Sequence, residues 1–182
     1  YEFFVFDNGL KNEKWSAQRQ TQILKDLGYD GISYRTTTAS LAERQKIFNR
    51  HRLKIFALYA HCRLGRENPY PKRLKTILPL IEGTDTMLWM TVNGDTDDEE
   101  VARVVRKIAD IVDKYDVKIA FYPHYGNYIA TTRDALRIAK KVDRDNVGVS
   151  INLCHELRSG NAAELGDIVE KAIPHLFLVS IN

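Results

Sequence analysis

Apolar residues along the chain fall into seven short runs rich in β-branched and aromatic side chains: Phe3–Phe6, Gly31–Tyr34, Leu53–Tyr59, Thr86–Val92, Val117–Tyr122, Val147–Asn152 and Leu176–Ile181. Runs of this length and composition predict β-strands. The longer stretches between them carry apolar residues at helical spacing, as in Ile23, Leu24 and Leu27, and predict amphipathic helices. Successive runs are centred about 24 to 32 residues apart, the length of one strand–helix unit with its loops. Local signals mark the helix ends. Ser40 with Glu43, Thr96 with Glu99, and Thr131 with Asp134 each set a side-chain acceptor three residues ahead of an acid, the pattern that caps a helix N-terminus. Gly28 follows the first apolar stripe and is expected in the left-handed conformation that ends a helix. Arg50-His51-Arg52 and Lys140-Lys141 fall near predicted helix C-termini, where cations face water and complement the dipole.

Strict strand–helix alternation implies a parallel sheet, either open and doubly wound or closed into a barrel. An open dinucleotide-binding sheet wants GxGxxG after its first strand, and a P-loop wants GxxxxGK[ST]; this chain has Asp7-Asn8-Gly9-Leu10. A barrel instead gathers polar groups at the C-terminal ends of its strands, because those ends converge on one mouth. Reading each strand to its end gives Asp7 and Asn8, Arg35, Tyr59 and His61, Thr91 and Asn93, Tyr122 and His124, Asn152 and His155, then Ser180 and Asn182. A barrel is therefore predicted, with Arg35, His61, Asn93, His124 and His155 pointing into its mouth. Three of the five histidines gathered there with an arginine and asparagines suit a polyhydroxylated ligand.

The length of 182 residues, with 44% hydrophobic and 28% charged, fits one globular domain that buries its own core. A net charge of +3 without long runs of like charge argues against nucleic acid or a membrane surface as partner. The apolar runs are far shorter than the roughly 18 residues that suggest a membrane span. Cys62 and Cys154 match neither a disulfide framework nor a zinc CxxC pattern. The first residue is Tyr1 and not methionine, which is compatible with a trimmed leader, so cytoplasm and periplasm both stay open.

Tyr122-Pro123-His124-Tyr125-Gly126 followed by Asn146-Val147-Gly148-Val149-Ser150-Ile151-Asn152-Leu153-Cys154-His155 resembles the xylose isomerase-like sugar phosphate isomerase/epimerase family, along essentially the whole chain. The resemblance implies an α/β fold, a (β/α)8 TIM-type barrel of the xylose isomerase kind. In that family strand five ends in Glu-x-His, strand six in Asp-x-x-His and strand seven in a His, with a further Glu on strand eight. Those carboxylates and the strand-seven His usually hold a divalent metal that binds the substrate's oxygens. Here Tyr122, Asn152 and Ser180 stand at three of those positions. A phenol, an amide and a hydroxyl are poor ligands at neutral pH, so the family's metal is not expected at this place. His124 and His155, the second histidines of the two motifs, face the substrate in the family; together with His61 they form the alternative ligand set. A typical barrel needs about 250 residues. Residues 1–182 thus read as a single (β/α) barrel domain with about seven strands, its C-terminal part lying beyond Asn182. The endonuclease IV branch implies a three-zinc site and a basic groove, neither of which is legible here.

With a small-molecule carbohydrate as the expected partner and no metal, proton transfer falls to imidazoles, which titrate near neutrality. His124 and His155 are the expected catalytic pair, one taking a proton next to a carbonyl, the other protonating the oxygen or the opposite face. Asn93 and Asn152 would bind hydroxyls. Arg35 either holds a phosphate, a carboxylate or a developing enediolate, or is a surface residue at the start of a loop. Asp7 either orients a histidine or a hydroxyl, or serves a turn. Tyr59, Tyr122, Tyr125 and Tyr128 offer flat faces to a sugar ring or fill the barrel top and its loops. Cys154 is expected as a buried structural residue, by strand alternation, and His51 and His175 at the bottom of the barrel. Three function classes follow: a sugar isomerase or epimerase, a keto-sugar or keto-inositol dehydratase or lyase, and a non-catalytic carbohydrate-binding barrel.

Overall fold

A computed structural model describes residues 2–11 and 14–181 of the chain. Strands β1 (Phe4–Phe6), β2 (Gly31–Arg35), β3 (Lys54–Arg63), β4 (Met87–Asn93), β5 (Ile119–Phe121), β6 (Val147–Asn152) and β7 (Leu176–Ser180) alternate with helices α1 (Ala17–Asp26), α2 (Leu41–Arg50), α3 (Leu74–Ile81), α4 (Asp98–Val112) and α5 (Thr132–Val142), and then a short α6 (Leu153–Arg158) and α7 (Leu165–Ala172). The strands form one sheet in the order β1 to β7, every neighbouring pair parallel. The seven predicted strands are all present. β3 runs on to Arg63, beyond the predicted end at Tyr59, because its alternation continues through His61 to Arg63 with the polar residues facing the mouth.

The sheet curls. In a flat sheet β1 and β4 would lie three strand spacings, about 14 Å, apart. Here the rings of Phe4 and Phe6 on β1 reach Trp89 on β4 at 6.3 and 5.2 Å between centroids. The concave face holds Ala57, Trp89 and Ala120 with Phe4, Phe6, Tyr59, Tyr122 and Leu178 packed on them. The convex face carries Leu58, Leu88, Met90, Ile119, Phe121 and Val149 against Val101, Val105, Ile108 and Ile138 of the helices. This is the wall of a TIM-type barrel, with helices outside and a packed interior. Close approach demands glycine at one point of the wall: a Cβ on Gly31 would sit 2.0 Å from the Lys54 carbonyl oxygen.

The helix signals divide. Thr131 and Asp134 form a complete capping box at the start of α5. Gly28 has φ 77 and its N–H donates to the Lys25 carbonyl, closing α1 as expected. Lys141 lies in the last turn of α5 and pairs with Glu99. At α4 the cap is Asp97, not Thr96: its carboxylate accepts from Glu100 N–H at 2.8 Å. Two adjacent residues offered acceptors, and a charged carboxylate next to the helix dipole is the stronger one. Ser40 precedes α2 in a left-handed conformation, φ 55, with no side-chain cap. Among the described residues no helix is long and apolar enough to cross a membrane.

Candidate active site

Strand alternation sends every second residue into the barrel, so the inner face of β4 reads Met87, Trp89, Thr91 and Asn93 from bottom to mouth, beside Ala57, Tyr59, His61 and Arg63 of β3. An aromatic floor lies below the mouth. Trp89 is fully buried; it stacks on Tyr122 at 4.4 Å and on Tyr59 at 5.4 Å, and its indole N–H donates to Ser150 at 2.8 Å. The Tyr59 hydroxyl lies 2.8 Å from that of Ser33. Burial pushes the Tyr59 phenol far above its ordinary range, against the Ser33 hydrogen bond, with Tyr122 and Asp7 adding to the rise and Arg35 opposing it. Tyr122 is raised by burial too, the Asn152 amide acting in the opposite direction. Both phenols stay protonated at neutral pH.

Above the floor, the imidazoles of His124 and His155 lie with centroids 4.0 Å apart and planes tilted by 40°. Each is also about one ring from Tyr122, at 6.0 and 6.1 Å. Tyr125 fixes both rings through its backbone. His124 Nδ1 lies 3.0 Å from the Tyr125 carbonyl oxygen, which can only accept, so Nδ1 carries the hydrogen. The Tyr125 N–H donates to His155 Nδ1 at 3.2 Å, so in neutral His155 the hydrogen is on Nε2. The two rings are held in opposite tautomers. His124 presents a lone pair at Nε2; His155 presents an N–H there. Burial, the neighbouring His124 and Arg158 lower the pKa of His155, with Glu156 acting against them.

His155 is carried by a helix and not by the strand itself. The chain turns from β6 into α6 at Asn152, whose side-chain oxygen accepts from the His155 N–H at 3.4 Å as N-cap. Asn-x-x-His is thus a capping geometry, which aims the third helical residue back over the barrel. The same turn corrects the expectation for Cys154: alternation stops at Asn152, and Cys154 is exposed on α6. Asn152 is fully buried, and its Nδ2 makes no hydrogen bond of normal geometry. Glu156, next to His155, is also fully buried; it accepts from Thr132 N–H at 2.5 Å and from Asn161 Nδ2 at 2.7 Å. Its carboxylate ties α6 to the start of α5.

The remaining predicted residues spread around the mouth. His61 Nδ1 lies 2.7 Å from Thr91 Oγ1. Its pKa is lowered by burial, then by the positive charges of Arg63, Arg35 and His124. Arg35 ends β2, exposed, in register with Tyr59. Asp7 is 2% exposed in the turn after β1, electrostatically coupled to Tyr59. Asn93 is exposed at the end of β4, in register with Arg63. Ser180 is buried opposite Asn152, and Asn182 lies outside the described residues. His51 lies just before β3 and His175 directly precedes β7, at the opposite end from the mouth. Tyr125 sits at the rim with the Arg158 guanidinium 4.5 Å above its ring. Tyr128 does not face the mouth: its hydroxyl donates to Asp98 at 2.6 Å in the outer helical layer. Trp89 and Glu156 were not singled out by the sequence as parts of the site. For Trp89 the signal was alternation back from Asn93; for Glu156 it was only its place next to His155.

The residues do not fit the family's metal. Among the described residues no three His, Cys, Asp or Glu side chains stand close enough to hold an ion. His124 and His155 have each committed Nδ1 to Tyr125, which leaves one nitrogen apiece.

No curated protein sequence matches the chain at a significant level. Among solved structures, the probable 3-DHS dehydratase of Bacillus anthracis superposes with TM-score 0.79 at 14% identity, over 98% of this chain and 72% of that one. The 3-keto-D-glucoside 4-epimerase of E. coli gives 0.74 at 13% identity, over 90% and 72%. A D-psicose 3-epimerase solved in the presence of D-fructose gives 0.73 at 14% identity, over 98% and 72%. Identities this low speak for a shared fold, and these neighbours are sugar epimerases and a dehydratase. Residues 21–182 match the family described as the xylose isomerase-like TIM barrel, and the chain belongs to that family.

Proposed function

We propose that the protein is a sugar isomerase acting by proton transfer next to a carbonyl, with His124 as base and His155 as hydrogen-bond donor to the carbonyl oxygen. The observation that carries this is the pair of opposed tautomers set by Tyr125. His124 Nε2 takes the proton from the carbon next to the carbonyl. The C–H electron pair forms a carbon–carbon double bond, and the carbonyl π pair moves onto oxygen, where the His155 Nε2–H stabilises it. The proton of the adjacent hydroxyl passes to that oxygen, whose electron pair takes it up as the second carbon–oxygen double bond forms, and return of the proton from His124 to the former carbonyl carbon gives the isomer.

The spacing favours chemistry on one face. Bases on opposite faces of a carbon need it between them, each about 3–3.5 Å away, whereas rings 4.0 Å apart have no room for a sugar carbon. Isomerisation needs only one face; so does syn elimination of a β-hydroxyl, in which His155 passes its proton to the departing oxygen. The dehydratase reading therefore stands second, ahead of epimerisation through two opposed bases. Asn152 and Asn93 would bind hydroxyls, with Tyr122 as the flat wall beneath the ring.

The test is deuterium incorporation from solvent into candidate aldoses, ketoses and keto-sugars by the full-length protein. His124→Ala is expected to lower exchange roughly 100- to 10,000-fold, and His155→Ala by a similar range. Exchange that survives both substitutions would assign the chemistry elsewhere. Sugar binding without exchange from any candidate would favour a carbohydrate-binding barrel.

A further inference from the structure

We propose that the mouth above β3 and β4 is an anion subsite, and that the substrate is an acidic sugar derivative carrying a carboxylate or a phosphate. This rests on the reading above that a sugar occupies the barrel mouth, and it adds the substrate's charge. A cavity of about 670 Å³ is lined there by Arg63, Leu64, Arg66, Asn68, Asn93 and Gly94. That volume is within the range of small-molecule sites. Its position follows from register: Arg63 pairs with Asn93 one pleat above His61 and Thr91, so the cavity opens directly over the inner-face histidine of β3.

The lining contains two guanidinium groups, two amides and no acid. Among the described residues neither Arg63 nor Arg66 makes an ion pair, although the outer arginines 103, 133, 137 and 144 all do. Glu67 and Asp95, the next residues in the chain after Arg66 and Gly94, do not line the cavity. The rim is held in shape. Arg63 N–H donates to the Pro69 carbonyl at 3.0 Å and Leu64 N–H to that of Asn93 at 2.9 Å. Gly94 adopts φ 133, and a Cβ there would lie 2.8 Å from Leu64. Arg63 and Arg35 also both lower the His61 pKa, so their positive charge is felt inside the mouth. Uncompensated guanidinium groups with amide donors between them match the planar, multidentate recognition of carboxylate or phosphate.

The experiment uses the full-length protein and two probes, inorganic phosphate and acetate, followed through the amide resonances of Asn93 and Gly94 and by calorimetry. A saturable response is expected. Arg63→Gln and Arg66→Gln should each weaken it by about tenfold or more, while Arg103→Gln on the outer helix leaves it unchanged. Preference for phosphate assigns a phosphorylated sugar, and preference for acetate a sugar acid. No saturable response to either probe, or a response that both substitutions leave intact, overturns the proposal. His124→Ala separates it from the catalytic reading: anion binding should persist in that variant. Exchange into neutral sugars that Arg63→Gln and Arg66→Gln leave untouched would keep the catalytic reading and refute this one.

Discussion

Removing the Glu156 carboxylate tests how His155 is held. The side chain is fully buried and accepts two hydrogen bonds, from Thr132 N–H at the start of α5 and from Asn161 Nδ2. Hydrogen bonds to a charged group contribute about 1.5–3 kcal/mol each, and a buried carboxylate at a helix N-terminus adds up to about 2 kcal/mol from the dipole. Glu156→Ala strands both donors and is expected to cost about 3–6 kcal/mol, a large part of a typical domain's stability. Glu156→Gln keeps the volume and one carbonyl acceptor for Thr132, and Asn161 can rotate its amide to accept from the new NH2. It loses the charge assistance and the dipole attraction, for an expected cost of about 1–3 kcal/mol. Urea unfolding followed by circular dichroism measures both, the midpoint shifting at constant slope. Turnover should fall further in the alanine variant, because α6 carries His155. An alanine variant within about 1 kcal/mol of the parent, or a glutamine variant as damaged as alanine, would refute this account.

Three further outcomes follow from the geometry. His155 has its pKa lowered in the fold from the ordinary 6.5. Below that value the unfolded chain binds more protons than the folded one, so this contribution to stability is complete above about pH 6.5 and declines as pH falls towards the folded pKa. The slope is at most about 1.4 kcal/mol per pH unit; thermal melts of the parent and His155→Asn across pH 5 to 8 should converge towards the acid end, and parallel curves would sink the idea. Gly31→Ala, which forces a Cβ to 2.0 Å from the Lys54 carbonyl oxygen, should cost about 3 kcal/mol or more by overpacking; a melting temperature unchanged from the parent would show that β2 and β3 can separate freely. Elemental analysis of the purified full-length protein should find less than one divalent metal per chain, because Tyr122, Asn152 and Ser180 cannot replace carboxylate and imidazole ligands. One stoichiometric metal that Asn152→Ala removes would overturn this.

The strands and their order were legible because apolar runs and turn residues are local signals, and a barrel wall places consecutive strands side by side. Residues on the strands' inner faces were legible for the same reason: once a strand is placed, alternation fixes which side chains turn inward, as for His61, Asn93 and Tyr122. The reading failed where local structure changed at a strand end. Cys154 was placed by strand alternation, yet the helix begins at once after Asn152 and rotates each residue by about 100° instead of 180°, which leaves Cys154 exposed. Thr96 was expected as the cap of α4, but the path of the chain gives that role to Asp97, one residue on. The Tyr125 backbone contacts that set the two tautomers have no sequence signature, since any residue offers the same N–H and C=O. Glu156 carries no local signal in the sequence; its burial depends on Thr132 and Asn161, which only tertiary contact brings to it.

Among the described residues, each strand in this wall pairs only with the strands immediately before and after it in the chain. As β2 to β7 leave the ribosome in turn, each therefore meets its preceding partner already made, and the edge advances by one unit at a time. Among these seven strands the sheet contacts then span a nearly constant sequence separation of one strand–helix unit, so loop-closure entropy is lost in similar small steps. Each newly added strand is the growing edge until the next arrives, and for that interval it is the segment most exposed to pairing with another chain. Ribosome pausing within a strand–helix unit, more than dilution of the finished protein, is then the condition under which this architecture is most vulnerable to misassembly.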